Sequence, residues 1–122
     1  MIGERVLADT NILVYHLGGV PKATSALQGA EVHISFITEI ELQSKPGLPE
    51  EELVSIRAAL ANYSISDVNP SIKIVAAKLR REYGLKLADA IIAATALHLD
   101  IPLLTADSGF DRLDKLVKVR KL

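Results

Sequence analysis

The chain of 122 residues contains no cysteine and no tryptophan. Without cysteine there is no disulfide framework, no thiolate metal site and no cysteine nucleophile. Aromatic residues are scarce, limited to Tyr15, Phe36, Tyr63, Tyr83 and Phe110. That excludes single-strand binders of the usual kind, which stack bases on aromatic platforms. No apolar run approaches the ~18 residues that a membrane span needs. The start, Met1-Ile2-Gly3-Glu4-Arg5, lacks a signal-peptide pattern, and Asp9 and Asn11 would interrupt any apolar leader core. A cytoplasmic location without membrane contact is the expectation. Charge of one sign is lacking too: the formal net charge is −1, against a protein that coats nucleic acid by bulk attraction.

What is present is an ordinary globular balance, with 49% hydrophobic and 24% charged residues. The length fits one domain, residues 1–122, since domains commonly run ~100–150 residues. There is no repeat, low-complexity tract or linker. The charge is unevenly spread. Residues 1–70 carry nine acids against four bases and residues 71–122 carry six against ten, giving −5 and +4.

Val6-Leu7-Ala8 reads as a strand stopped by Asp9-Thr10-Asn11, with an amphipathic stretch from Ile12 to Leu17 behind it. Alternation over Val32, Ile34, Phe36 and Ile37 predicts a second strand, and a helix follows through Leu42 to the breaker Lys45-Pro46-Gly47. Pro49 opens a helix in its first turn, with Glu50, Glu51 and Glu52 at the positive dipole end, running to about Ala61. A third strand is expected over 63–68, then a helix from Pro70 or Ser71 that Gly84 closes. A helix over 87–99 must stop before Ile101-Pro102. Leu103-Leu104-Thr105 is a fourth strand, and 116–119 a fifth. Strands alternating with helices indicate an α/β chain, a three-layer α/β/α sandwich on a central parallel sheet of four to five strands. Ligand sites in such sheets lie at the carboxyl ends of the strands.

Acidic residues occupy conspicuous places in that plan. Asp9 directly follows the first strand and Asp107 lies just past the fourth, although an Asp after a strand also serves as an N-cap or turn residue. Asp89 sits in Leu87-Ala88-Asp89-Ala90-Ile91-Ile92, among the most apolar segments of the chain. A buried unpaired charge there would be costly. The bland alternative is a first-turn acid, or one paired with Arg80, Arg81 or Lys86. On the helix after the second strand, Glu39 and Glu41 compete. Thr38-x-x-Glu41 fits a capping box, but Ser35 could cap the same helix and leave Glu41 free.

Several carboxylates brought together repel one another and resist ionisation without a cation. An all-oxygen set suits Mg²⁺ or Mn²⁺ rather than zinc. The three histidines, His16, His33 and His98, lack ligand spacing and read as structural or surface residues.

In four segments taken in order, the chain resembles the PIN-domain nucleases, and among them the VapC-type toxins of toxin–antitoxin pairs. The segments are 7–11, 34–42, 87–96 and 103–107, the last with Phe110 behind it. The resemblance covers nearly the whole chain and implies a PIN-like sandwich. It places the helix acid on Glu41 rather than Glu39 and carries Asp9, Glu41, Asp89 and Asp107 over as catalytic, metal-holding acids for one or two ions. Asn11 and Thr105 match the family's polar supports. Asp111 ranks below Asp107, because its neighbour Phe110 fits the family's hydrophobic plug. Gln43-Ser44-Lys45-Pro46 departs from the small residue or glycine that many relatives have after Glu41-Leu42, which bears on the groove shape.

The implied activity is Mg²⁺- or Mn²⁺-dependent hydrolysis of RNA phosphodiester bonds, the implied role that of a toxin. The implied partners are an RNA substrate, a cognate antitoxin and a second copy in a homodimer. Lys78 and, closer to the acids, Arg80, Arg81 and Lys86 are candidate phosphate contacts, or else a solvated helix face. Two rivals belong to other classes. A haloacid-dehalogenase-like metal phosphatase needs a second Asp two residues after the first, where this chain has Asn11. A non-catalytic binding module on the same fold would be favoured by an incomplete acid set. A receiver-type signalling domain fits the acid spacing poorly.

Overall fold

The computed structural model describes residues 3–122; Met1 and Ile2, part of the start read above for a leader, lie outside the described residues. Five strands and six helices follow one another as β1 (Arg5–Ala8), α1 (Thr10–Leu17), α2 (Pro21–Leu27), β2 (Glu31–Ser35), α3 (Phe36–Leu42), α4 (Glu50–Leu60), β3 (Ser64–Ser66), α5 (Pro70–Tyr83), α6 (Leu87–Leu99), β4 (Leu103–Thr105), a short 3-10 helix (Ser108–Leu113) and β5 (Val119–Lys121). All ladders are parallel, in the order β3-β2-β1-β4-β5. The chain thus builds outward from β1 through β2 to β3, then returns to lay β4 on the other side of β1. The crevice between β1 and β4 is the topological switch point, where sheets of this kind receive ligands.

Alternation along the central strands splits the apolar residues between two cores. Leu7 and Leu103 turn to the face covered by α5, α6 and the 3-10 helix, packing with Ile72, Leu79, Ala93 and Phe110. Val6, Ala8 and Leu104 turn to the other face, with Ile12, Leu13 and Leu60 from α1 and α4. Helices on both sheet faces make the three layers expected.

Local chemistry sets most boundaries. Asn69 caps α5 by accepting from the Ile72 amide at 2.9 Å, Pro70 occupies the first turn, and Gly84 ends the helix in the left-handed region at φ 66°. Helix α6 spans the residues expected and ends on Asp100, also left-handed at φ 54°, just before Ile101-Pro102. Pro49 stands one residue outside α4 rather than within its first turn.

Besides Pro49 and a third strand confined to Ser64–Ser66, three features differ from the sequence reading. The second strand stops at Ser35, so Phe36 and Ile37 belong to α3. Ser35 caps α3 by accepting from the Ile37 amide at 3.2 Å, which lets a strand pass into a helix with no intervening loop. Helix α2 was not anticipated; it buries only Ala23 and Leu27 and has no side-chain cap. The fifth strand lies at Val119–Lys121 rather than 116–119 because the apolar residues before it, Leu113 and Val117, fill the core from the 3-10 segment and its exit.

Candidate functional site

Asp9 is the last residue hydrogen-bonded along β1, its amide donating to the Leu104 carbonyl at 3.1 Å, and the N-cap of α1. The residue is 4% exposed. One oxygen, Oδ1, accepts from the Ile12 amide at 2.9 Å, and the other, Oδ2, accepts from the Thr105 hydroxyl at 2.5 Å. Thr105 ends β4 and is fully buried. Its hydroxyl spends its proton on Asp9, so it accepts the Asp107 amide, 2.9 Å away. One threonine therefore ties the acid of β1 to the backbone of the acid beyond β4. Burial raises the Asp9 pKa, the Thr105 and Ile12 hydrogen bonds oppose it, and the charge of Asp107 adds to the rise.

Asp107 is exposed and caps the 3-10 helix through Oδ1, which accepts from the Gly109 amide at 2.8 Å. Asp89 is half-buried in the first turn of α6. Its pKa is raised first by burial and then by Asp107; Lys86 pulls the other way, and Asp9 and Glu41 push it up further. All three of the other acids thus act on the charge of Asp89, so the four share one electrostatic field.

Glu41 lies near the end of α3, exposed. With Ser35 as the cap, Glu41 is not needed for a capping box. Its Oε1 instead accepts from the Thr10 hydroxyl at 2.6 Å, and that hydroxyl lies 3.0 Å from the fully buried hydroxyl of Thr38. Sequence reasoning missed this pair. The only signal was the threonines' place beside Asp9 and three residues before Glu41, which does not reveal a contact across 28 positions.

Asn11 is exposed, and it is its backbone amide that acts on the Asp9 carboxylate. Lys86, just before α6, is the base whose charge reaches Asp89, whereas Arg80 and Arg81 stand exposed in the last turn of α5. Asp111 pairs with Lys121 at 3.2 Å, and Phe110 beside it is buried in the core. Among the described residues, no three acidic or histidine side chains stand as a ready-made ligand set for a metal ion. The acids share a field without closing on a common point.

A family model described as the PIN domain matches residues 6–116. The chain belongs to the PIN-domain family. Solved structures agree with the PIN assignment. A chain of a toxin–antitoxin complex from Klebsiella pneumoniae is 31% identical, with a TM-score of 0.83 over 95% of this chain and 96% of that one. A chain of VapBC-1 from nontypeable Haemophilus influenzae is 25% identical, with a TM-score of 0.78 over 96% and 97%. In fold alone, VapBC2 from Rickettsia felis, solved with a DNA fragment from its promoter, is similar at 24% identity and a TM-score of 0.81 over 96% and 98%. No curated protein sequence matches this PIN domain.

Proposed function

We propose that this PIN domain is a ribonuclease toxin of the VapC type, hydrolysing RNA phosphodiester bonds with Mg²⁺ or Mn²⁺. The observation that supports the reading is that Asp9 and Asp107, tied through Thr105 at the ends of β1 and β4, share an electrostatic field with Glu41 and Asp89, whose charge the other three oppose. An all-carboxylate set that resists its own ionisation fits a hard divalent cation, one or two ions, rather than zinc. The side chains do not enclose an ion as they stand, so the exposed Asp107 would turn toward Asp9, Glu41 and Asp89 to receive it.

When bound, such a cation supplies Lewis acidity toward a phosphate oxygen and makes water a stronger nucleophile at neutral pH. The chain's own residues supply the rest. Thr105 and the Ile12 amide fix the Asp9 carboxylate, and Asp107 is held at its backbone by the same threonine. Lys86 stands beside Asp89 as a positive charge for an RNA phosphate, with Arg80 and Arg81 further along the same basic segment. In-line attack by water leaves 5′-phosphate and 3′-hydroxyl ends and no covalent enzyme intermediate. A cytoplasmic setting accords with the fact that, among the described residues, no helix is long and apolar enough to cross a membrane.

An antitoxin partner belongs to the same reading, supported by the toxin–antitoxin complexes among the structural neighbours. A groove of about 600 Å³ between α1, α3 and α4 is floored by apolar residues including Val14, Leu17, Leu42 and Ile56, and it reaches Glu41. Glu51 and Glu52 also line it. Its occupant would be an amphipathic antitoxin segment with apolar anchors and basic side chains, covering the acidic site from the groove. On the α1 side of this groove, Val14 and Leu17 are exposed while Ile12 and Leu13 are buried. Homodimer formation rests on the resemblance.

The test is cleavage of structured RNA by purified protein, comparing Mg²⁺ or Mn²⁺ with EDTA, beside Asp9→Asn and Asp89→Asn. The expected result is cleavage that requires the metal, leaves 5′-phosphate ends and falls to background in both folded variants. Equal cleavage by the variants would refute the site. The lack of a closed ligand set favours one second reading, a non-catalytic binding module. Metal-independent RNA binding without cleavage would support that module.

A further inference from the structure

The Thr10 hydroxyl stands between two partners, the Glu41 carboxylate at 2.6 Å and the Thr38 hydroxyl at 3.0 Å. An ionised carboxylate accepts hydrogen bonds and donates none. The single Thr10 proton therefore goes to Glu41, and Thr38 donates to the oxygen of Thr10. The proton order runs from Thr38 through Thr10 to Glu41. Thr38 is fully buried, Thr10 half-buried and Glu41 exposed, so the chain of hydroxyls leads from the core to the surface.

Thr10 begins α1 immediately after Asp9, whereas Thr38 and Glu41 share one face of α3 at a spacing of three residues. The contact joins the acid-bearing helix of the second β-α unit to the strand end of the first. An exposed glutamate is otherwise free to sample many rotamers, and ordering it opposes binding. Preorganisation by hydrogen-bonded neighbours removes part of that cost.

We propose that Thr10 and Thr38 are positioning residues for Glu41, a two-hydroxyl relay that holds its carboxylate over the end of β1, beside Asp9, where the cation is received. The inference rests on the cation reading above and adds which residues prepare the site for it.

The experiment measures Mn²⁺ binding directly, by the loss of the free-ion electron paramagnetic resonance signal. It compares wild type with Thr10→Val, Thr10→Ser, Thr38→Val, Glu41→Gln and the Thr10→Val/Glu41→Gln double variant. Circular dichroism confirms that each is folded. Thr10→Val is expected to weaken Mn²⁺ roughly tenfold, the lower end of what outer-sphere partners contribute to metal affinity. Thr10→Ser restores binding, and Thr38→Val shows a smaller loss in the same direction. In the Glu41→Gln background, Thr10→Val adds nothing, because the charged acceptor it serves is gone. Wild-type affinity in folded Thr10→Val would overturn the relay, as would an equal loss with and without Glu41. A wild type that takes up no Mn²⁺ would overturn the cation reading and the relay with it, so the two failures are distinguishable.

Discussion

At Asp9, the N-cap reading of the sequence holds in the structure, and it occupies only one oxygen of the carboxylate. One carboxylate oxygen caps α1 and the other takes the Thr105 hydroxyl, leaving a buried acid at the end of β1. Asp107 likewise caps a helix while lying beyond β4. Asp89 occupies a first turn, as the bland reading had it, and yet feels all three other acids. Its net pKa shift is upward, by burial first and by Asp107 next. A carboxyl whose pKa rises on folding binds its proton more tightly in the folded chain, so stability falls as pH climbs from the ordinary carboxyl range through the raised value. In EDTA at neutral pH, Asp89→Asn is therefore expected to melt a few degrees above wild type. The advantage should vanish once the pH drops below about 4, the unperturbed Asp range. Thermal melts across pH check this, and a variant that melts lower at every pH would contradict it. Asp9, Asp89 and Asp107 were legible because an acid at a strand end or in an apolar helix demands a reason. Glu41 was not separable from Glu39 by residue physics alone, since what singles it out is the hydroxyl of Thr10, 31 positions away.

The elements were legible where they carry their own punctuation. Helix α5 has Asn69, Pro70 and Gly84 at its ends, and α6 is an apolar run stopped by Pro102. The β2–α3 junction carries no such mark, because Ser35 both ends the strand and caps the helix while Phe36 and Ile37 prolong the apolar pattern. Helix α2 has Pro21 at its start, but with only Ala23 and Leu27 buried and no side-chain cap its apolar face is too short to betray a helix. Gly84 has the most to answer for, since α5 must turn there to deliver Leu85 to the core and Asp89 to the site. A Cβ at this position would meet nothing within 4 Å, so substitution strains only the backbone at φ 66°. Gly84→Ala is expected to lower stability by about 1–2 kcal/mol, the cost of an L-residue in the left-handed region. The urea midpoint should fall with an unchanged slope. An unchanged midpoint would mean that α5 does not end in this conformation.

Across the whole molecule, the site is assembled from both halves of an unevenly charged chain. Asp9 and Glu41 come from the acidic half, Asp89 and Asp107 from the basic half, and the return from β3 to β4 lays the strand ends that carry Asp9 and Asp107 side by side. On the proposed function, a net charge of −1 accommodates acids for a cation together with Lys86 and the neighbouring arginines for a polyanion. The parallel sheet was legible as alternation of elements, but the strand order was not, because neither turn chemistry nor periodicity says on which side of β1 the chain returns. Convergence of the four acids on a cation is tested most directly by anomalous scattering from crystals grown with Mn²⁺. The expected map shows one peak, or a close pair, among Asp9, Glu41, Asp89 and Asp107. No peak there at saturating Mn²⁺, or peaks only elsewhere on the surface, would contradict it.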